Sequence, residues 1–133
     1  MGRVTDPRHE VKQAFDAYFE NCPSRRVLER ISDKWVVLVL GLLAGGPKRF
    51  SQLKREIEGI SQKMLSQTLR ALEADGLLVR RAFATVPVTV EYELTPLGKS
   101  LNEALTPIRT WANGNMGRIL KARDAAKPRQ RYA

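Results

Sequence analysis

The stretch Lys34–Leu43 constrains this chain more than any other. After the opening lysine it reads Trp35-Val36-Val37-Leu38-Val39-Leu40-Gly41-Leu42-Leu43. A helix that is apolar nearly all round has to be buried on all sides. It is far shorter than the ~20 residues a membrane span requires. The remaining elements are therefore expected to wrap around it, and Gly45-Gly46-Pro47 ends it. A chain of 133 residues holds one domain. Its core is small enough that pairing with a second copy would add stability. Aromatic residues make up only 7%, so aliphatic side chains carry the packing.

Around that helix the punctuation is regular. Asp6 and Pro7 open a predicted helix through Phe19, with Val11, Phe15, Tyr18 and Phe19 on one face. Cys22-Pro23-Ser24 breaks the chain and starts a second helix, Ser24 to Ile31. Ser51 reads as the N-cap of a short helix carrying Leu53 and Ile57. Glu58-Gly59-Ile60 is a tight turn, and Ser61 caps a longer helix through Ala74 that Asp75-Gly76 closes with a left-handed residue. Leu77 to Phe83 and Val88 to Leu94 read as a hairpin joined by Ala84-Thr85-Val86-Pro87. Thr95 and Pro96 open a last helix with Leu97, Leu101, Leu105, Ile108 and Trp111 at helical spacing, kinked at Pro107. Beyond Gly117 the chain is rich in Lys and Arg and reads as a disordered tail. The expected organisation is an N-terminal helix over 1–20, a domain ending in a long helix over 21–117, and a basic tail over 118–133. The fold class is mainly α with a small β-hairpin.

Helix, short helix, turn, longer helix and hairpin in this order describe a winged helix-turn-helix. The helix from Ser61 to Ala74 points Leu65, Leu69 and Leu72 inward and leaves Gln62, Lys63, Ser66, Gln67 and Arg70 on the other side. Such a helix fits the major groove of B-DNA, where Gln, Lys, Arg and Ser reach base edges. The backbone N–H groups at Ser51-Gln52 suit a phosphate oxygen, Lys48 and Arg49 precede them, and Arg80 and Arg81 begin the hairpin. The chain carries a net charge of +9, which favours a polyanionic partner. Between Pro47 and Arg70 six basic residues face two acidic ones, so the excess sits where the grooves would be.

Other classes fit less well. The single cysteine and single histidine, Cys22 and His9, exclude an internal disulfide and a Cys/His zinc site by arithmetic. His9 is the only candidate base for nucleophilic catalysis, the acidic residues form no metal-ligand cluster, and Gly45-Gly46-Pro47-Lys48 lacks phosphate-loop spacing. The sequence therefore implies no enzyme, no metal and no cofactor. A winged-helix protein-interaction module would use an acidic or apolar face, which this helix does not offer. Non-specific DNA packaging would suit the basic tail Lys121 to Arg131, but Gln and Ser side chains favour base reading. The N-terminal residues lack a signal-peptide pattern, and a cytoplasmic protein is expected.

Several strings in fixed order now carry a resemblance. Cys22-Pro23, Asp33-Lys34-Trp35, Arg49-Phe50-Ser51-Gln52-Leu53, Ile60-Ser61-Gln62-Lys63-Met64-Leu65, Leu72-Glu73-Ala74-Asp75-Gly76-Leu77 and Val90-Glu91-Tyr92-Glu93-Leu94-Thr95 resemble the HxlR-type regulators, winged-helix proteins similar to the MarR group. The resemblance covers roughly Asn21 to Trp111. It implies a homodimer joined by the terminal helices and binding a pseudo-palindromic operator. Repressor and activator both stay open, and a dimer that blocks polymerase, a repressor, is the simpler expectation. It also implies that Ser61–Ala74 is the recognition helix and the hairpin tip the wing, with Thr85 and Thr89 as DNA contacts. Relatives usually carry Pro-Pro-Arg in the wing, where this chain has Pro87-Val88-Thr89, so the minor-groove arginine is missing at its usual place.

Cys22 stands before Pro23 at a helix N-terminus, with Arg25 and Arg26 in the first turn. Both features favour a thiolate. In some relatives a cysteine at this position senses oxidants or electrophiles, and a small-molecule effector is the other route to control. The alternative is an inert, packed thiol. His9 reads as an exposed bystander, and Trp35 and Trp111 as core or dimer-contact residues.

Overall fold

A computed structural model describes residues 15–128. Its elements are α1 (Pro23–Ile31), α2 (Lys34–Leu43), β1 (Lys48–Arg49), α3 (Phe50–Glu56), α4 (Gln62–Ala74), β2 (Leu78–Phe83), β3 (Thr89–Leu94) and α5 (Pro96–Ala126). The strands form one antiparallel sheet in the order β1-β3-β2. The architecture is a winged helix, mainly helical with a small sheet.

As its composition requires, α2 is the centre. Val36, Val39, Leu40 and Leu43 are buried, and Asp33 caps the helix by accepting from the Trp35 amide at 2.8 Å. Around it gather Leu53, Ile57 and Ile60 of the α3 region, Leu65, Leu69 and Leu72 of α4, Leu78 and Leu94 of the sheet, and Leu105 of α5. Leu38 escapes this burial and is exposed beside Leu42 and Ile57.

The end of α4 is a Schellman motif. The Leu77 amide bonds the Leu72 carbonyl at 2.9 Å and the Gly76 amide bonds that of Glu73 at 3.0 Å. Gly76 supplies the positive φ of 75° that this turn needs. Thr95 then joins two helices through one hydroxyl, which donates to the Gly76 carbonyl at 2.6 Å and accepts from the Gly98 amide at 3.0 Å. At Gly98 the backbone of α5 lies so close to the Leu77 carbonyl that no Cβ fits between them. Farther along, the Arg109 guanidinium packs over Gly41 and donates to the Val37 carbonyl at 3.1 Å, to Asn102 Oδ1 at 2.7 Å and to Thr106 Oγ1 at 3.1 Å.

The expected boundaries shift in several places. Of the helix read over Pro7–Phe19, residues 7–14 and His9 with them lie outside the described residues. Residues 15–19 form a turn instead, because the Asp16 carboxylate takes the Tyr18 amide at 3.0 Å. Helix α1 starts at Pro23, one residue early. Ser51 is not a cap: Lys48 and Arg49 are drawn into a strand against Tyr92 and Glu91, so α3 starts at Phe50 with Arg49 as its cap. The segment 118–126 is helical rather than disordered, since Arg118-Ile119-Leu120-Lys121-Ala122-Arg123 are mostly strong helix formers that outweigh Gly117. The rest of the tail, 129–133, lies outside the described residues. Helix α5 runs on through Pro107, because the carbonyl this residue leaves unbonded, at Glu103, is on an exposed face where water serves. No helix among the described residues is long and apolar enough to cross a membrane.

Adding a methyl at Gly98 forces α5 off the Leu77 carbonyl. Gly98→Ala is expected to destabilise the fold by ~1–3 kcal/mol, the usual cost of overpacking. Thermal unfolding reads this as a drop of several degrees in Tm, and an unchanged Tm would refute the close contact.

Candidate nucleic-acid interface

The exposed polar face of α4 is built by its cap and its leucines together. Ser61 accepts from the Met64 amide at 3.0 Å and fixes where the helix starts. Leu65, Thr68, Leu69 and Leu72 are buried, which fixes its rotation. Gln62, Lys63, Gln67 and Arg70 are consequently exposed and Ser66 half-buried, and these five alone line one open polar hollow. None of their side chains is engaged by the rest of the described chain through an ion pair, so the face is presented outward.

A second, smaller hollow lies where α4 meets the sheet. It is lined by Ser66, Arg70 and Glu73 from α4, Arg80 and Tyr92 from the hairpin, and Phe50 and Leu69 beneath. The register explains Arg80: it stands opposite Tyr92, one pleat beyond the buried Leu78–Leu94 pair and on the same face. Arg80 thus belongs with Arg70 at the root of the hairpin rather than with its tip. Phe50, Glu73 and Tyr92 were missed in the sequence. The signal available for Tyr92 was its two-residue spacing from Leu94.

Other expected contacts have partners of their own. Lys48 Nζ is 3.3 Å from Glu56, and Arg81 Nε is 2.8 Å from Glu93 across the strand pair. Gln52 Oε1 accepts from the Arg49 amide at 2.8 Å, so this side chain supports the start of α3, while Arg49 and Ser51 are exposed. At the hairpin tip Thr85 donates to the Pro87 carbonyl at 2.7 Å, leaving Thr89 to donate to Thr85 at 3.0 Å. Thr85 and Thr89 hold the loop together.

Cys22 is the N-cap residue of α1 and is half-buried. The Asp16 amide donates to its sulfur at 2.9 Å, and Ser24 Oγ lies 3.1 Å away. The Ser24 hydroxyl is the main reason its pKa falls below the ordinary thiol value; amides of Ser24 and Asp16 help, while burial and the Asp16 charge oppose. The expected role of the arginines is not found. Arg25 turns its guanidinium to the carbonyls of Ala17 and Tyr18, at 2.9 Å each, and neither Arg25 nor Arg26 contributes to the lowered pKa.

Two apolar surfaces complete the description. Along α5, Leu97, Ile108, Trp111 and Leu120 are all more than half exposed, as are Val27 and Leu28 on α1. Trp111 is therefore outside the core, whereas Trp35 packs against it with Lys34 Nζ 4.6 Å above its ring. A hollow of about 530 Å³ lies between α2, the turn after α3, and α5, lined by Leu38, Gly41, Leu42, Ile57 and Arg109 with Glu56 and Glu58 at its edge.

Comparison with known proteins agrees with this geometry. A family model described as HxlR-like helix-turn-helix matches residues 30–119. The HTH-type transcriptional regulator YtfH of Escherichia coli is 47% identical over 107 residues, 80% of this chain and 85% of the relative. The solved structure of the regulator ytfH from Salmonella typhimurium is 42% identical and superposes with a TM-score of 0.77, covering 83% of this chain and 98% of that one. The redox regulator HypR in its oxidized form is 36% identical with a TM-score of 0.66, over 71% and 97% of the two chains. With 68% of the chain matched by that family model and relatives this similar in sequence and structure, this chain belongs to the HxlR-like helix-turn-helix family of DNA-binding transcriptional regulators.

Proposed function

We propose that the chain is a homodimeric, sequence-specific repressor that places α4 in the major groove of each half of a pseudo-palindromic operator. The observation that carries this reading is the outward face of Gln62, Lys63, Ser66, Gln67 and Arg70, backed by buried leucines. Gln and Arg in this setting read adenine and guanine edges, while Lys63, Arg49 and Arg80 neutralise phosphates. Ser51 and Ser61 add hydroxyls near the backbone, and Lys48 and Arg81 contribute once their ion pairs open. Exposed pairs of that kind hold by only ~0.2–1 kcal/mol, so phosphate competes for them.

The apolar stripe of α5, with Val27 and Leu28 nearby, supports pairing of two copies. Two mechanisms of control fit the chain. An effector molecule has room in the hollow against Arg109, and the half-buried Cys22 thiol, its pKa lowered, would add through sulfur to a quinone ring carbon while the proton it gives up passes to the ring oxygen. The likeness to a redox regulator supports the second.

Titration of an operator fragment selected from genomic DNA tests the main claim. With about 6–10 phosphates neutralised, log K is expected to fall against log salt with a slope of roughly −5 to −9. Arg70→Ala or Gln67→Ala is expected to cost ~1–3 kcal/mol and relax preference at one base position. Equal binding to all sequences would favour packaging, and no binding would favour a protein-interaction module. Ile108→Glu with Trp111→Glu is expected to shift sedimentation from dimer to monomer, and an unchanged coefficient would count against pairing through α5. For Cys22, the alkylation rate by iodoacetamide followed against pH is expected to move to higher pH in Ser24→Ala, because the hydroxyl that stabilises the thiolate is gone. If a quinone releases Cys22→Ser from operator DNA as readily as the unsubstituted chain, the thiol is not the sensor.

A further inference from the structure

The tip of the hairpin is unlike the rest of this basic chain. From Ala82 to Val90 the sequence Ala-Phe-Ala-Thr-Val-Pro-Val-Thr-Val contains no ionisable side chain. Val86 is fully exposed, Val88 is 66% exposed and Phe83 is 41% exposed. The polar groups of the loop are turned on one another, through Thr85, Thr89 and the Pro87 carbonyl. The arginine next to this segment, Arg81, is held by Glu93 at 2.8 Å, and Arg80 sits at the root beside α4. What the tip offers a partner is methyl groups and a ring edge, without a cation.

Its position says which partner. The hairpin root shares a hollow with Ser66 and Arg70, so the tip continues the surface that α4 presents to DNA. An extended strand advances ~3.3 Å per residue, so the six steps from Arg80 to Val86 reach at most about 20 Å. Half a turn of B-DNA, the step from a major groove to the neighbouring minor groove, is about 17 Å. The reach matches the step. Apolar side chains are used in minor grooves elsewhere, where sugar rings and base steps give them something to pack on.

We propose that Val86, Val88 and Phe83 form an apolar wing that packs on the deoxyribose walls of the minor groove beside each half-site. The inference rests on the reading of α4 as the DNA-binding helix. It divides the affinity in two. The cations of α4 and the hairpin root give a part that salt screens, and the tip gives a part that salt leaves unchanged. It also accounts for a wing without its arginine: contact there is made by desolvating sugar surface, not by placing charge in the groove.

Fluorescence anisotropy on the full chain with a labelled operator fragment tests this. Salt is varied from ~50 to ~200 mM, the interval over which affinity for DNA changes steeply. Val86→Ser with Val88→Ser is expected to weaken binding by ~10-fold at every salt concentration, with the slope of log K against log salt unchanged. Val86→Arg is expected to steepen that slope by about 1.8, the value for one added phosphate contact from each of the two protomers. All these positions are exposed, so circular dichroism is expected to report an unaltered fold. Arg70→Ala serves as the comparison. If Arg70→Ala weakens binding and the double valine variant binds like the unsubstituted chain, the apolar wing is wrong and the α4 reading stands. A changed salt slope in the double variant would overturn the apolar wing as well. If neither the unsubstituted chain nor any variant binds duplex DNA, both readings fall together.

Discussion

The close approach of Gly98 to the Leu77 carbonyl is the contact on which the arrangement of this domain depends. Three elements meet there: the end of α4, the start of β2 and the first turn of α5. Leu77 is at once the last residue of the Schellman turn and the residue against which α5 is laid. Thr95 adds a hydroxyl that serves both helices. Backbone touching backbone leaves no slack for a side chain to adjust. The angle between α4 and α5 is therefore set by main-chain geometry, and the surrounding leucines only fill the space this geometry defines.

Charge in this chain is sorted by whether it has a partner. Arg30 pairs with Asp75, Lys48 with Glu56 and Arg81 with Glu93, while Arg25 and Arg109 are held by carbonyls and side-chain oxygens. Lys63, Arg70 and Arg80, on or beside the polar face of α4, are in no described ion pair, and the same holds for Lys54, Arg55 and Lys99 elsewhere. Net charge alone did not say this. A sequence reports how many cations there are; the fold decides which of them are engaged by the protein itself. Arg81 illustrates the point, since it neighbours Arg80 in sequence yet faces the other side of the sheet and Glu93.

Where local chemistry dominated, the fold was legible in the residues. Lys34–Leu43 was readable as the buried helix because its composition permits nothing else, and Ser61 through Gly76 because cap, leucine spacing and left-handed glycine all agree. The outward polar face of α4 followed from the same spacing. What could not be read depended on partners distant in sequence. Strand β1 has two residues and exists only because β3 lies beside it, so Lys48 and Arg49 resembled a loop and Ser51 a cap. Arg25 and Arg26 looked like neighbours of the Cys22 thiol by sequence distance, but the turn over 15–19 offers carbonyls that claim Arg25 first. The basic composition beyond Gly117 suggested disorder, although the same residues are good helix formers once α5 is already running.

Arg109 has a consequence for that long helix. Apolar ridges are non-directional, and a leucine stripe displaced by one turn can find new neighbours of much the same kind. A guanidinium bonded to the Val37 carbonyl and to Asn102, and seated over the bare Cα of Gly41, has no equivalent site one turn away. It works as a detent on an otherwise smooth rail. The axial position of α5 against α2 is thereby locked, and so is the length of helix that extends past Leu105, the last buried residue along it.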